Sequence, residues 1–267
     1  MSTIKYGSSD IDNVMYESSQ VSKLMFSGQT LWSSITPEWS GWSGLTSYYR
    51  MDETSDTSMA DAVGSATGTK SAAFSDANGI NNYCNLLNGT TDNIDLGTNF
   101  MFERTDSFSL SFWFKRTNLK AYGVLMGNMK GIAESGHGDY WGWYLLFTDT
   151  SNNNMILNLY STSTSKLDQY GGHFPTTGIW YHLVVTYDGQ SASDSVKMYQ
   201  AGTGTTVTVS TSTLTTSIVP PSPSYMGYRN AISTSPDARL DEVGIWNRVL
   251  TATEASELYN AGAGIFY

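Results

Sequence analysis

Apolar and polar residues alternate along most of the chain after residue 40. The clearest run is FSLSFWFK at 108–115, where phenylalanine or leucine fills every even position, while serine, tryptophan and lysine fill the odd ones. A period of two predicts a β-strand with one face in a hydrophobic core. Because Trp113 lies on the other face, we expect that face to be concave or covered.

About a dozen further segments show the same strand pattern, and only one segment shows a helix pattern. Thr251, Glu254 and Gly262 predict a short C-terminal helix with an N-terminal capping box and a glycine stop. Strands that do not alternate with helices predict an all-β fold built as a two-layer antiparallel sandwich.

The first forty residues differ from the rest of the chain. Short apolar groups alternate with Ser, Gly and Asp, which predicts three or four short strands joined by tight turns. Such a segment is too small to fold alone. We therefore divide the chain into an N-terminal segment, 1–40, and a β-sandwich, 41–267.

Composition and charge exclude several classes of function. The 267 residues carry a net charge of −10, which argues against nucleic acid as a partner. No apolar run approaches the roughly 20 residues of a membrane span, and the N-terminus lacks a signal-peptide pattern. We therefore expect no membrane insertion and synthesis in a cytoplasm. The one cysteine, Cys84, excludes an internal disulfide.

Five segments in order carry a resemblance to a known family. The segments at 44–69, 85–97, 108–116, 178–189 and 239–262 resemble those of a laminin-G-like, concanavalin A-like lectin/glucanase domain. The resemblance covers about residues 41–267. It implies a jelly-roll sandwich of two curved antiparallel sheets, and roles in carbohydrate or protein adhesion outside cells.

Two adjacent acids, Asp241 and Glu242, begin an apolar strand. Simple alternation places Asp241 on the inward face with Val243 and Ile245. A buried carboxylate needs backbone N–H groups, an arginine or a metal ion as compensation.

The resemblance implies that Asp241 is a ligand of a structural calcium ion, together with backbone carbonyls of an early loop. The candidate loop is 87–93, around Gly89, and Asp52 is a further candidate ligand. The alternative is that Asp241 caps a turn or pairs with Arg239 or Arg248.

Catalytic patterns are missing from the sequence. The glucanases of this fold carry a Glu-x-Asp-x-x-Glu cluster on one strand, and no such cluster occurs. His137 and His173 lie in glycine-rich loops, and the pattern around His182 predicts a strand. None of the three therefore indicates a catalytic triad or a metal pair. We therefore predict that the protein is not an enzyme.

Two loops offer the aromatic and polar residues that sugars require. The first contains Asp139, Tyr140, Trp141 and Trp143. The second, at 161–174, contains Asp168, Gln169, Tyr170 and His173. Alternation also allows Trp141 and Trp143 to be core residues or subunit contacts.

The N-terminal segment resembles short modules of tailed-bacteriophage virion proteins. The matching positions are Val21, Lys23, Leu24, Gly28, Leu31 and Trp32. We expect Val21, Leu24, Leu31 and Trp32 to contact a partner, either another virion protein or a copy of this chain.

The expected function is that of a non-enzymatic virion protein, made in the host cytoplasm. Its N-terminal segment attaches to the particle, and its lectin-like sandwich decorates the particle or binds a surface polysaccharide. The alternative is a bacterial carbohydrate-binding lectin or glucanase-derived module.

Overall fold

The structure is a computed structural model that describes most of the chain from residue 39 onward. The residues described in full are 39–54, 56–72, 74–130, 140–148, 153–220, 222–227 and 235–267, and the backbones of six short strands precede them. The chain divides into two compact units, Met1–Ser43 and Gly44–Tyr267. No helix in the described ranges is long and apolar enough to cross a membrane.

The N-terminal unit contains three separate two-stranded antiparallel sheets within its described residues. They pair β1 (Ile4–Tyr6) with β2 (Ser9–Ile11), β3 (Met15–Tyr16) with β4 (Ser19–Gln20), and β5 (Lys23–Phe26) with β6 (Gln29–Ser33). A short 3₁₀ turn, Ser40–Trp42, ends the unit. The sequence predicted three or four strands, because strands of two or three residues are too short to display a period of two.

The predicted partner-contact residues lie partly in the third of these hairpins. Leu24 is in β5, while Leu31 and Trp32 are in β6, where Trp32 pairs in register with Leu24. Val21 lies outside the described residues.

The second unit contains two antiparallel sheets. In its described residues, the first has seven strands in the order β10-β22-β12-β17-β18-β19, with β7 also paired to β22. Its strands are β7 (Leu45–Tyr49), β10 (Asn85–Asn88), β12 (Phe108–Arg116), β17 (Trp180–Tyr187), β18 (Val196–Gln200), β19 (Thr203–Gly204) and β22 (Asp237–Trp246).

The second sheet has nine strands over the same described ranges, in the order β20-β16-β15-β14-β13-β21-β11-β9-β8. Its strands are β8 (Ser58–Met59), β9 (Gly68–Lys70), β11 (Ile94–Asp95), β13 (Val124–Gly127), β14 (Gly142–Phe147), β15 (Met155–Tyr160), β16 (Lys166–Gly171), β20 (Thr208–Ser212) and β21 (Tyr225–Met226).

One hydrophobic core lies between the inner faces of the two sheets. The even-numbered residues of β12 from Phe108 to Phe114 belong to it, as do Leu157 and Leu159 of β15. The predicted two-sheet antiparallel sandwich is therefore confirmed, and the fold is a jelly roll.

The outer face of the seven-stranded sheet is covered by the C-terminal helix, α1 (Ala252–Tyr259). Thr251 and Glu254 form the predicted capping box, and the ring of Tyr259 stacks on those of Trp113 and His182. The helix ends at Tyr259, because Asn260 adopts a left-handed conformation before the predicted glycine stop is reached.

Candidate functional site

A bulge in β22 positions the two adjacent acids. Leu240, Val243 and Ile245 all lie in the core, so two residues, and not one, separate the inward positions Leu240 and Val243. Glu242 has a φ of 49°, in the left-handed region, and the pairing of β22 with β12 shifts register at this point. Asp241 and Glu242 therefore both lie off the core side of the sheet.

The bulge corrects the prediction that Asp241 points into the core. Asp241 pairs in register with Trp113, on the outer face of the sheet. Simple alternation failed because it assumes one residue per step along both strands. Asp241 is nevertheless fully buried, because the loop 78–83 covers it.

Backbone N–H groups compensate the charge of Asp241. Its Oδ2 accepts from the N–H groups of Ile80 at 2.7 Å and Asn81 at 3.3 Å, and its Oδ1 accepts from that of Glu242 at 3.0 Å. Gly79 passes so close that a Cβ there would lie 2.8 Å from Oδ2. The carboxylate thus fixes the loop to the strand.

Neither arginine that was considered as a partner of Asp241 pairs with it. Arg239 binds Asp76 at 2.6 Å, and Arg248 binds Glu254 at 2.6 Å. Both ion pairs are partly exposed. Neither arginine compensates the charge of Asp241, which is compensated by backbone N–H groups, two of them in the loop 78–83.

Glu242 is less well compensated than its neighbour. Its Oε1 accepts from Asn81 Nδ2 at 2.8 Å, and a hydrogen bond from the Tyr48 hydroxyl lowers the pKa of the same carboxyl group. Its Oε2 is buried without a hydrogen-bond partner. Burial raises the pKa of Asp241 and that of Glu242, and the charge of Glu242 raises the pKa of Asp241 further. A cation placed between the two carboxylates would relieve both effects.

These residues fit a calcium ion in part. Asp241 and Glu242 supply two buried carboxylates, and the unpartnered Oε2 is a free acceptor. Asp52, whose charge raises the pKa of Glu242, accepts from the N–H of Tyr83 at 3.0 Å in the same loop. The described residues hold no cluster of three His, Cys, Asp or Glu arranged for a metal ion, so carbonyls and water would have to complete the set.

Gly89 does not belong to this group, which corrects the prediction for loop 87–93. Its Cα lies beside Asp237, and β10 pairs Asn88 with Asp237 and Asn85 with Leu240. The loop is therefore about four residues along the strand from Asp241. The sequence predicts a loop at 87–93 and a strand that begins near Asp241, but it does not show which loop lies beside which position of the strand.

A pocket of about 520 Å³ lies on the outer face of the nine-stranded sheet. Outward residues of β14, β15 and β16 form its floor, and residues of adjoining loops form its rim. It is lined by Tyr122, Met129, Tyr140, Tyr144, Leu146, Thr148, Asn154, Ile156, Asn158, Tyr160 and Tyr170. Five tyrosines and two asparagines give it aromatic faces and neutral polar groups.

A hydrogen-bonded group centred on Asp168 supports the pocket floor. Asp168 Oδ1 accepts from Asn158 Nδ2, and its Oδ2 accepts from the Tyr160 hydroxyl at 3.0 Å. Lys166 Nζ lies 3.4 Å from the same Oδ2 and 5.1 Å from the centre of the Tyr160 ring. The ring of Tyr140 meets that of Tyr160 edge to face at 6.0 Å.

The structure brings some of the predicted ligand residues to this pocket. Tyr140 and Tyr170 line it. His173 is exposed, and its Nδ1 lies 3.5 Å from Oδ1 of Asn154, a lining residue. Trp141 is half-buried beside the pocket and pairs through its backbone with Lys130.

Trp143 lies elsewhere, which corrects its assignment as a ligand residue. It is fully buried, its ring packs against Phe102 and Phe108, and its Nε1 donates to the Phe100 carbonyl at 3.0 Å. Alternation in β14 directs it inward while Tyr144 faces outward. Asp139 lies outside the described residues.

Sequence reasoning missed Tyr122, Tyr144, Asn158 and Tyr160. A signal for two of them was present in β15, MILNLY, where Met155, Leu157 and Leu159 face the core. The outer face of that strand therefore carries Ile156, Asn158 and Tyr160, an aromatic and amide pattern that suits a ligand face.

The pocket offers binding groups more readily than catalytic ones. Asp168 does not line the pocket but lies beneath its floor, where it is held by Asn158, Tyr160 and Lys166. Glycoside hydrolysis requires two carboxyl groups on either side of the bond, and none of the described residues that line the pocket is an Asp or Glu. A second chemical candidate, the pair Ser111 Oγ and His182 Nε2 at 3.0 Å, is buried beneath α1.

Comparison with protein families identifies the fold family. A family model, Laminin_G_3 of the concanavalin A-like lectin/glucanases superfamily, matches residues 88–256. The chain belongs to this superfamily. The match runs from the last residue of β10 through β22 to the first half of α1, and so contains both the pocket and the acid pair. No curated protein sequence gives a significant match.

Solved structures of this concanavalin A-like fold resemble the chain at low identity. The binding domain of Paraclostridial mosquitocidal protein 1 is 18% identical with a TM-score of 0.63, over 83% of this chain and 53% of that one. A Trypanosoma rangeli sialidase in complex with sialic acid is 14% identical with a TM-score of 0.59, over 91% and 36%.

A third similar structure matches over nearly its whole length. Domain 4 of AbnA, an extracellular arabinanase from Geobacillus stearothermophilus, in complex with arabinotriose, is 18% identical with a TM-score of 0.52. The match covers 80% of this chain and 97% of that domain. The chain spans about half of the toxin domain and about a third of the sialidase. At these identities the likeness shows the fold alone.

Proposed function

We propose that the sandwich is a non-catalytic carbohydrate-binding domain whose site is the tyrosine-lined pocket on the nine-stranded sheet. The observation that carries this proposal is the lining itself: five tyrosines and two asparagines around about 520 Å³. Sugar C–H faces stack on aromatic rings while hydroxyl groups bond to amides and phenols. The similar arabinanase domain in complex with arabinotriose supports a glycan as the ligand class.

Binding by the purified full chain to a panel of soluble and immobilised polysaccharides tests this proposal. Tyr122 is 53% exposed and lines the pocket, so Tyr122→Ala should weaken binding at little cost in stability. Tyr83 is 39% exposed and does not line the pocket, so Tyr83→Ala is the matched control. Equal losses in both variants, or binding unchanged by Tyr122→Ala, would place the glycan elsewhere.

The context we propose for this domain is a bacteriophage particle. Residues 1–40 attach to other virion proteins or to copies of the chain, and the sandwich decorates the particle or binds a host-surface polysaccharide. The three separate two-stranded sheets in the described residues of this segment support this proposal, because isolated hairpins are marginal in water and gain stability by pairing with a partner. The alternative is a bacterial carbohydrate-binding module.

Deleting residues 1–40 separates the two contexts. A virion protein should lose incorporation into particles while its sandwich still folds and binds glycan. A free bacterial module should keep all of its measured functions. Loss of folding in the deletion variant would show that the boundary at residue 40 is misplaced.

We further propose calcium as a structural cofactor at Asp241 and Glu242, with Asp52 nearby. The buried, unpartnered Oε2 of Glu242 supports this proposal. The ion would supply positive charge that offsets two buried carboxylates. It would thereby stabilise the bulge and the loop 78–83, and it would take no part in glycan chemistry.

A further inference from the structure

Lys70 is a lysine that faces the hydrophobic core. It is 2% exposed, and it lies directly opposite Ile94 in the antiparallel pairing of β9 with β11. Directly opposed residues of an antiparallel pair point to the same face of the sheet, and Ile94 belongs to the core. Lysine is almost never fully buried unless it is paired. A lysine in this place therefore needs a partner inside the core.

The amine of Lys70 has few partners for a buried group. Its Nζ donates to the Glu53 carbonyl oxygen at 3.2 Å. In the described part of the chain, no carboxylate lies within ion-pair distance of this amine. Because an ammonium group carries three donors, most of its hydrogen-bonding capacity is unused.

Asn85 faces the same core from the opposite sheet. It is fully buried, and it lies directly opposite the core residue Leu240 in the pairing of β10 with β22. Its Nδ2 lies 3.8 Å from the sulfur of Met59, whereas its Oδ1 is buried without a hydrogen-bond partner. A buried amide oxygen without a donor is costly, so this amide also needs a partner.

Two contacts of β10 lie on either side of Lys70, and Leu87 makes the first. A Cβ built on Gly227 would lie 2.8 Å from Leu87 Cδ1, so β10 passes close to Gly227. The residue before Gly227 is Met226, which is joined through Ile94 to Lys70 in one row of paired residues across three strands. The strand β10 thus approaches the nine-stranded sheet beside this row.

The second contact is the one between Asn85 and Met59. Met59 lies directly opposite Gly68, which is two residues before Lys70 and therefore on the same face of β9. Asn85 and Leu87 are likewise two residues apart on one face of β10. The inward face of β10 therefore covers the part of β9 from which the side chain of Lys70 rises.

Glu53 supplies a carboxyl group in the same region. Its Oε1 accepts from the N–H of Ala60 at 2.8 Å, next to Met59 in the chain, and its Oε2 is buried without a partner. Its carbonyl oxygen holds the amine of Lys70. An amine, an amide and a carboxyl group, all with unused hydrogen-bonding capacity, thus meet in one apolar region.

We propose that Lys70 and Asn85 are joined by an isopeptide bond, which forms without an added enzyme once the two sheets have packed. The amine leaves the Glu53 carbonyl by rotation of its side chain and attacks Cγ of Asn85. The Nζ–Cγ bond forms and the Cγ–Nδ2 bond breaks. The Glu53 carboxyl group relays two protons from Nζ to Nδ2, which leaves as ammonium. Atoms and charge balance, and no oxidant or other reactant is needed.

This cross-link is separate from the proposed glycan site and does not depend on it. It joins β9 of the nine-stranded sheet to β10 of the seven-stranded sheet. A covalent link between distant parts of the chain restricts the unfolded state, as a disulfide does. The sandwich would therefore resist unfolding although its one cysteine, Cys84, is free.

The mass of the denatured full chain tests this proposal, because the bond survives unfolding. The expected mass is lower than that of the sequence by one ammonia molecule. After proteolysis, tandem mass spectrometry should find the peptide that contains Lys70 joined to the one that contains Asn85. A full sequence mass, or recovery of these two peptides as separate species, would overturn the proposal.

A succinimide at an asparagine that precedes glycine would give the same loss of mass, and a chemical control separates the two products. Asn78 and Asn88 both precede a glycine. Hydroxylamine reacts with a succinimide but leaves an isopeptide bond intact. A loss of mass that hydroxylamine removes would therefore overturn the proposal, and one that persists would support it.

Single variants test the role of each group. Lys70→Met removes the nucleophile and should have the full mass of its sequence, whereas Glu53→Gln should form the bond at least about a hundredfold more slowly. Lys197→Met and Glu257→Gln carry the same changes at exposed positions and should keep the bond.

The wild-type mass decides whether the bond exists, so the test holds even where a variant does not fold. The same cross-link in folded Glu53→Gln at the wild-type rate would refute the assignment of the proton relay. A persistent loss of one ammonia molecule in folded Lys70→Met would show that the bond, if any, lies elsewhere, and would overturn the proposal.

Discussion

His182 is buried as a neutral base between two rings, and this makes stability depend on pH. Its ring lies 4.8 Å from that of Trp113 and 6.0 Å from that of Tyr259 in α1. Its Nε2 lies 3.0 Å from Ser111 Oγ, and its Nδ1 is buried without a partner. Burial lowers the pKa of His182 to about 3, since a charged imidazolium would have no carboxylate beside it.

The sign of the effect follows from the two states of the chain. In the unfolded chain His182 takes up a proton near pH 6.5, whereas in the folded protein it stays neutral down to about pH 3. Below pH 6.5 the unfolded state is therefore favoured by about 1.4 kcal/mol per pH unit. The loss from this residue is about 1.4 kcal/mol at pH 5.5 and about 2.7 kcal/mol at pH 4.5.

Urea unfolding of the wild type and of His182→Gln at pH 7.0, 5.5 and 4.5 measures this loss. Glutamine can still bond to Ser111 but does not titrate. The wild type should therefore lose more stability than the variant on acidification, by about 2.7 kcal/mol at pH 4.5. Other titrating groups cancel in the difference. A difference that does not change with pH would refute the reasoning, and His173→Gln, at an exposed histidine, should track the wild type.

Three further predictions concern the acid pair and the helix. Removing calcium with EDTA should lower the melting temperature, and excess calcium should restore it. At a hundredfold excess over Kd, bound calcium should add about 2.7 kcal/mol to the free energy of unfolding, and Asp241→Asn should abolish the response. Gly79→Ala should destabilise the protein in urea unfolding, because its Cβ would lie 2.5 Å from the Tyr83 carbonyl oxygen; an unchanged midpoint would contradict the close approach of loop and strand. Thr251→Ala should cost about 1 kcal/mol through loss of the capping box, and Thr251→Ser should recover most of it.

The regular elements could be predicted from the sequence because each follows from neighbouring residues. The alternation in β12 set its inner and outer faces, and the ring of Trp113 on the outer face indicated a cover that proved to be α1. The Thr251 and Glu254 pair fixed the start of the helix for the same reason, since both residues lie within one turn. Local periodicity and capping need no knowledge of distant contacts.

The features that escaped prediction all depend on pairing between distant segments. The bulge at Glu242 is visible only once β22 is aligned with β12, and the loop over Asp241 is 78–83 and not 87–93 because β10 runs away from the acid pair. Tyr122 reaches the pocket from a loop before β13, far in sequence from Tyr160. In each case the sequence showed the chemistry of the side chain, but it did not show which distant segment lies beside it.

The two outer faces of the sandwich differ in what covers them, and this difference favours the nine-stranded sheet as the face of the proposed ligand site. On the seven-stranded sheet, α1 covers Trp113 and His182, and the loop 78–83 covers Asp241. The aromatic and titratable groups there are buried and contact the helix or the loop. On the nine-stranded sheet, the described residues leave Tyr160 and its neighbours around an open pocket. The core thus separates the aromatic side chains that α1 covers from those of the proposed ligand site, so a variant of Tyr122 should change binding without changing the pH response of His182.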